Sequence, residues 1–391
     1  MNLFIAVQNL GKGGPSNFII RLACELANKG HNVFVYELYP YLSKTNKHSF
    51  KKSKLKLLSP ADNKIADFFA WRLNSLSSKK SYWEKFRKKN MIKQIRINKI
   101  DVILSIEFSV DIIMAEISLE TNIPLAVRLN SDYGIQKNKK PLKEHIKTIQ
   151  KILVNTDALI FTSDYHYKKL NKHIKNIELK KAKIINGIKK QPDIHISEKH
   201  PFKINNKSII FGMVSRGEPE KGWEILIKAF KNIQENKENN IFLILVGESD
   251  YMQNLKKTTS NKNVFFAGHS DQPGEWIQQF HIAVLPTYYK NESTPNVVLE
   301  YLSYNKPVIS TNHVEIPNMI SFNNQYAGKL IDLKDNHQPE IADLENAMLD
   351  YISNPDLIIQ HSELTKDVIK RFGISKCADE YIHVLNSIKS E

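Results

Sequence analysis

The chain has 391 residues, 41% apolar and 25% charged, the balance of a globular protein with two domains or one large one. No run of 18 apolar residues occurs, so no membrane-spanning helix is expected. Its two cysteines, Cys24 and Cys377, are far apart and without metal-ligand spacing, which fits a reducing cytoplasm. The net charge of +15 is uneven. Residues 1–200 carry 37 Lys and Arg against 17 Asp and Glu, and the remainder carries 19 against 24. The first half is therefore read as meeting an anionic partner, and the second as having another task. A Lys-rich proteome would account for the total but not for the asymmetry.

The start, MNLFIAVQNLGKGG, has no basic n-region or small-residue cleavage site and does not read as a signal peptide. LFIAVQ (3–8) reads as a buried strand, NLGKGGPSN as a Gly-rich turn, and FIIRLACELANKG as an amphipathic helix capped by Gly30. HNVFVYEL supplies the next strand, completing a βαβ unit. Further strands are expected at 101–106, 123–130, 157–163 and 183–188, with helical or polar stretches between them. The polar stretch 189–207 has the composition of a linker. Strands resume at 208–215, 241–247, 263–268, 281–286 and 306–311, and amphipathic helices close the chain from about 340. This alternation predicts α/β architecture: two Rossmann-like, doubly wound parallel-sheet domains of similar size, at 1–195 and 205–372. Ligands of such domains sit in the cleft at the C-terminal edges of the strands.

Two stretches at those edges carry the chemistry. NESTPNVVLEYLSYNKPVIS (291–310) places Glu292 in the loop after a strand and Glu300 inside the helix that follows. Thr294 is expected as N-cap with Pro295 at the first helical position. The backbone N–H groups of 294–297, which include Asn296 and Val297, would then form an anion site. Glu300 can accept hydrogen bonds from the vicinal hydroxyls of a ribose, and Glu292 can reach a second polyhydroxyl group a diphosphate's length away. That spacing suits a nucleotide-sugar. A solvated loop acid at Glu292 and a Lys-paired carboxylate at Glu300 fit the same spacing. The other stretch, MVSRGEPEKGWE (213–224), follows the first strand of the second domain and presents Arg216 and Lys221 at a strand-to-helix edge. Two such cations neutralise a diphosphate, the fork of Arg gripping oxygens and Lys acting as a point charge. An ordinary charged surface loop is the plainer alternative.

Together these residues resemble the retaining GT-B glycosyltransferases of glycosyltransferase family 4. The resemblance rests on Arg216–Lys221–Gly222, on Glu292 and Glu300 before Pro307, and on the N-terminal Gly loop. It also rests on NGI (186–188), LVGE (245–248) and AGH (267–269), and so covers nearly the whole chain. It implies sugar transfer from a nucleotide diphosphate sugar with retention, without a metal or other cofactor. It assigns Arg216 and Lys221 to the leaving diphosphate, Glu292 to the donor sugar and Glu300 to the ribose, with Gly14 and His269 among the donor-binding residues. Gly13, Arg128 and Asn130 fall on the acceptor side; Asn130 stands where the family usually has a His. The last helix, about 373–391, is expected to pack back on the first domain. A front-face mechanism without a protein nucleophile follows, on a glycan or lipid-linked glycan acceptor of bacterial cell-envelope polysaccharide synthesis.

Rival readings are another GT-B nucleotide-sugar enzyme, an epimerase or phosphorylase-like, and a basic nucleic-acid-binding protein. The N-terminal loop lacks G-x-G-x-x-G, which weighs against a dinucleotide. The positive charge is joined to no helix-turn-helix, RNA-recognition or zinc pattern, so no nucleic-acid partner is expected. Residues 43–100 carry 17 Lys and Arg against three Asp and Glu, interleaved with Phe68, Phe69, Trp71, Trp83 and Phe86. Rings with cations suit an anionic bilayer surface. The expectation is a cytoplasmic protein, peripheral on the inner face of the plasma membrane; the alternative is that the aromatics are core and the cations a solvated face.

Overall fold

A strand covered by helices on both faces needs a continuous apolar run. NLFIAV of β1 (Asn2–Val7) is such a run, buried from Leu3 onward. The computed structural model describes residues 1–11, 14–38, 55–58, 81–134, 142–174, 178–189, 200–236 and 240–389. They form two units, Met1–Gly187 with Ile374–Glu391, and Ile188–Gly373. Gly13, Phe68, Phe69 and Trp71 lie outside the described residues, as does the side chain of Trp83. So do residues 190–199 of the expected linker.

In the first unit β1 leads into α1 (Gly14–Asn28) and β2 (Asn32–Glu37). Gly30 turns the chain between them at φ +89°, a left-handed conformation that costs glycine nothing. There follow β3 (Lys56–Leu58), α2 (Ser81–Ile97), β4 (Val102–Ile106), α3 (Phe108–Thr121) and β5 (Leu125–Leu129). Next come α4 (Leu142–Val154), β6 (Ala158–Phe161), α5 (Asp164–Asn171) and β7 (Lys180–Lys183). The sheet order is β3-β2-β1-β4-β5-β6-β7, and every pairing is parallel. The order reverses between β1 and β4, which makes their C-terminal ends a topological switch point.

The second unit holds β8 (Ile209–Val214), α6 (Trp223–Asn236), β9 (Ile241–Val246), α7 (Asp250–Thr258), β10 (Val264–Gly268), α8 (Pro273–Gln279) and β11 (Ile282–Leu285). After these come α9 (Asn296–Ser303), β12 (Val308–Thr311), α10 (Ile316–Ile320), β13 (Ser321–Phe322), β14 (Gln325–Tyr326) and β15 (Gly328–Ile331). Two helices, α11 (Ile341–Ser353) and α12 (Asp356–Lys370), close it. Six strands form a parallel sheet in the order β10-β9-β8-β11-β12-β15, while β13 and β14 form a small antiparallel hairpin. Here the order reverses between β8 and β11. Both units thus have the predicted parallel α/β architecture.

The helix expected from Thr294 and Pro295 begins one residue later. Pro295 is its N-cap, and its first residue is Asn296. The strand expected at 183–188 is also displaced. The strand is β7, KKAK, paired on one side only, with β6. IINGI runs on without regular structure and packs against the last helix: Cys377 Sγ donates to Ile185 O at 3.4 Å. A Cβ on Gly187 would lie 2.8 Å from Ile374 Cα, so only glycine fits that approach.

That last helix, α13 (Ile374–Ile388), belongs to the first unit. Ile374, Cys377, Ala378, Tyr381 and Leu385 recur at helical spacing and join the core of Phe18, Leu22 and Leu26 on α1. Burial of apolar surface holds it there, and a buried polar cluster around Arg128 helps to set its register. Arg128, 3% exposed, donates from Nε to Tyr381 Oη at 2.7 Å and from Nη2 to Asn186 Oδ1, with its guanidinium 4.8 Å from the Phe18 ring. Tyr381→Phe leaves this buried guanidinium short of a partner. The expected cost is about 1–3 kcal/mol, seen as a lower calorimetric Tm of the full chain. An unchanged Tm would remove Arg128–Tyr381 as an anchor.

Candidate functional site

The candidate donor residues meet at the C-terminal ends of β8 and β11, adjacent strands at the switch point of the second unit. After β8 the chain forms a loop, then one 3-10 turn, Pro219–Lys221, then α6. Gly222 joins turn to helix at φ +88°, and a Cβ there would lie 2.3 Å from Pro286 O. Any side chain would be strained in conformation and blocked in space. This tight joint turns Lys221 inward.

Lys221 and Glu292 are both buried, and Lys221 Nζ donates to Glu292 Oε2 at 2.6 Å. Thr287 Oγ1, fully buried, donates to the same oxygen at 3.1 Å. The ring of Tyr289 lies 4.7 Å from Lys221 Nζ and 5.8 Å from the Arg216 guanidinium, a cation–π arrangement on both. Tyr288 N–H donates to Glu220 O at 2.8 Å, so backbone and side chains alike tie the two loops together. The solvated loop acid expected as the plainer reading of Glu292 is not what the structure holds: the carboxylate is buried and paired 71 residues back in the chain.

Arg216 is set differently. Its side chain is 57% exposed and pairs with Glu218 Oε1 at 2.9 Å. Its carbonyl accepts from Trp223 Nε1 at 3.0 Å, which fixes the backbone while leaving the guanidinium at the surface. Glu300 is half-buried on α9. Burial first, and then the Glu300 carboxylate, push the Tyr304 phenol up to about 12. Tyr301, wholly buried on the same helix, takes Val214 N–H on its hydroxyl at 2.7 Å and donates back to Val214 O at 3.1 Å. The helix carrying Glu300 is thereby fastened to the end of the strand that feeds the Arg216–Lys221 loop. Thr294 and Asn296 are buried where α9 begins and Val297 is half-buried.

His269 stands apart from these residues. It follows β10, the edge strand two places from β8, and its Nε2 lies 3.0 Å from Asp271 Oδ1. An open groove of about 720 Å³ lies there, lined among others by Phe265, Ala267, His269, Asp271 and Trp276. Lys221, Glu292 and Glu300 are not in its lining.

In the first unit Gly14 begins α1 and Asn130 is half-buried just past β5. Arg128, expected on the acceptor side, is turned into the core and holds α13. Sequence reasoning missed Thr287, Tyr289 and Tyr301. The first two lie two and four residues past the end of β11, so position near a strand's C-terminal end is the signal the sequence offers. It also missed Asp111 on α3, whose wholly buried carboxyl is pushed up to about 7 by desolvation, against the donated hydrogen bonds of Ser105 (2.5 Å) and Tyr133 (2.8 Å).

Removing one member of a buried ion pair leaves an uncompensated charge, at about 3–5 kcal/mol. Lys221→Met is expected to destabilise by that amount in calorimetry of the full chain, and adding Glu292→Gln to recover most of it. Equal Tm values for K221M and wild type would show that the pair is not fixed in solution.

Residues 195–362 match the family model of glycosyl transferases group 1. The chain is 27% identical over 164 residues to an uncharacterized glycosyltransferase of Methanocaldococcus jannaschii, covering 40% of this chain and 39% of that one. It is 32% identical over 139 residues to a capsular polysaccharide biosynthesis glycosyltransferase of Staphylococcus aureus, covering 32% and 35%. These matches thus span little more than a third of either relative's length. Among solved structures, Anabaena HepE in complex with UDP superposes with a TM-score of 0.74 at 15% identity, covering 99% of this chain and 100% of that one. At that identity the likeness is one of fold. The match to glycosyl transferases group 1 falls wholly on the second unit, and the two units share the GT-B fold of the solved glycosyltransferase structures.

Proposed function

We propose that the protein transfers a hexose from a uridine diphosphate sugar to a glycan or lipid-linked glycan, with retention at the anomeric carbon, in cell-envelope polysaccharide synthesis. The observation that carries this reading is the convergence of Arg216, Lys221 and Glu292 at the switch point of the second unit, beside the α9 helix that bears Glu300. The choice of uridine draws on HepE, whose fold is shared and whose structure holds UDP. The choice of an envelope glycan draws on the capsular relative.

In this proposal unit 2 binds the donor and unit 1 the acceptor. Arg216 exchanges Glu218 for the diphosphate oxygens, and Lys221 adds its charge from the buried side. As the bond from the anomeric carbon to the diphosphate oxygen breaks, negative charge grows on that oxygen. Cations fixed beforehand stabilise it at no reorganisation cost. The acceptor oxygen bonds to the anomeric carbon from the same face, and its proton passes to the leaving diphosphate. Glu292, held by Lys221 and Thr287, orients the donor sugar. Glu300 accepts from the ribose hydroxyls. The chain's own cations carry the leaving-group charge, so the mechanism calls for no metal.

Arg216→Ala is expected to cut turnover with UDP-sugars by roughly 10²–10³, the scale of one lost transition-state donor. Glu300→Gln is expected to weaken UDP binding by about tenfold while leaving Tm unchanged. Wild-type kinetics in R216A together with wild-type UDP affinity in E300Q would end the reading.

The protein is further proposed to work at the inner face of a membrane. Among the described residues no helix is long and apolar enough to cross one. Lys85, Phe86, Lys89, Lys93, Arg96 and Ile97 form an exposed face of α2, opposite its buried Met91, Ile92 and Ile95. Exposed rings and aliphatics among cations suit anionic headgroups. The protein is expected to sediment with anionic vesicles, release with salt and ignore neutral ones. No sedimentation at low salt would exclude the membrane while leaving sugar transfer standing.

A further inference from the structure

The first unit has its own switch point, and one carboxylate occupies it. Gln8 directly follows β1 and Glu107 directly follows β4, the two strands between which the sheet order reverses. Gln8 N–H donates to Glu107 Oε2 at 3.1 Å. Among the described residues this is the one hydrogen bond the carboxylate receives, and Oε1 is left to solvent or ligand. The edge around it is held in place from below. Leu10 N–H donates to the buried Glu37 at 2.8 Å, fixing the loop after β1. Asp111 is locked by Ser105 and Tyr133 one turn further along α3.

The backbone of Glu107 adds a second observation. It sits at φ +89°, ψ 135°, a conformation that side chains other than glycine's rarely adopt. Its side chain does not cap α3. Local helix chemistry therefore does not account for a glutamate there; a glycine would take the turn without strain. Burial raises the pKa of this carboxyl, while the Gln8 N–H and Arg128 act to lower it. The residue is thus a constrained, incompletely satisfied acceptor at the place where parallel α/β sheets bind ligands.

We propose that Glu107 is the acceptor-recognition residue of this enzyme, its Oε1 receiving a hydroxyl of a neutral sugar. A carboxylate with one open oxygen takes an O–H donor well, and vicinal sugar hydroxyls supply one without bringing a charge against neighbouring Asp111. This inference rests on the glycosyltransferase reading, and its test separates the two.

Wild type, Glu107→Gln and Glu107→Gly, all as full chains, are titrated calorimetrically with UDP and with a panel of alkyl glycosides. The panel is octyl β-glucoside, octyl β-galactoside and octyl N-acetyl-β-glucosaminide, each below its micellar concentration. Wild type is expected to bind UDP and at least one glycoside. Both variants should keep UDP affinity within twofold, and E107Q should lose about tenfold in glycoside affinity. E107G should lose glycoside binding too, yet melt about 2–4 °C higher, because relieving the strain stabilises a unit of this size by that much. Glycoside affinity unchanged in E107Q, or no glycoside bound by wild type, overturns the proposal. A lower Tm in E107G also overturns it, by making Glu107 a structural residue. Failure of wild type to bind UDP would instead strike the donor reading.

Discussion

Burying an ion pair is expensive, and the Lys221–Glu292 pair imposes that cost on the second unit. Each ion loses several kcal/mol of hydration, and close approach recovers it only if the remaining hydrogen-bonding capacity is met. Here Thr287 and the Tyr289 ring supply what the pair does not. Burial follows from the backbone: the left-handed Gly222 joint turns Lys221 inward, and the loop after β11 folds over it through Tyr288 N–H on Glu220 O. The geometry depends on β8 and β11 being neighbours, although 67 residues separate the end of one from the start of the other. Tyr301 completes the arrangement by pinning α9 to Val214. Three segments distant in sequence are thus held as one surface before any ligand arrives.

The first unit handles charge at its sheet edge in a different way. Arg128 is buried, and its donors are taken by Tyr381, Asn186 and the face of Phe18, so its work is to hold α13 in register. Asp111, sealed under the switch point, meets the cost of burial by a raised pKa. The sign follows from that. A carboxyl raised to about 7 from an ordinary value near 3.8 favours the folded state fully only below the lower value. That contribution is lost as pH rises through the higher one. Among the described residues of this edge, Glu107 is the proposed binding residue, because its carboxylate receives one hydrogen bond, from Gln8 N–H, while Arg128 and Asp111 are held for packing.

Much of this was legible in the sequence because it is local or periodic. Apolar runs of strand length separated by amphipathic stretches fixed the parallel α/β class, and loops after strands located Arg216, Lys221 and Glu292. What was not legible depends on long-range pairing. Glu292 reads as a loop acid until Lys221 is seen beneath it. Arg128 reads as a site residue until Tyr381, 253 positions later, is seen against it. IINGI reads as a strand because it is apolar. The strand is KKAK because an edge strand paired on one side tolerates exposed lysines, while IINGI is apolar for the sake of α13. The strain at Glu107 has no sequence signature, since its φ is set by the β4-to-α3 turn.

The two cations of the donor loop, adjacent in the motif, are therefore not equivalent in the fold. Lys221 is neutralised in place by Glu292, so the pair contributes a dipole rather than a free charge. An anion drawn to Lys221 must share it with a carboxylate 2.6 Å away. Arg216 is exposed, and its present partner Glu218 is bound across solvent-accessible surface, where an ion pair is worth at most about 1 kcal/mol. Exchanging Glu218 for a diphosphate costs little and gains a bidentate contact. In the proposed reaction Arg216 is accordingly the cation that changes partners. Lys221 is the one that fixes where Glu292, the proposed sugar contact, stands. A motif that reads as a symmetric clamp resolves, once burial is taken into account, into one mobile charge and one anchor.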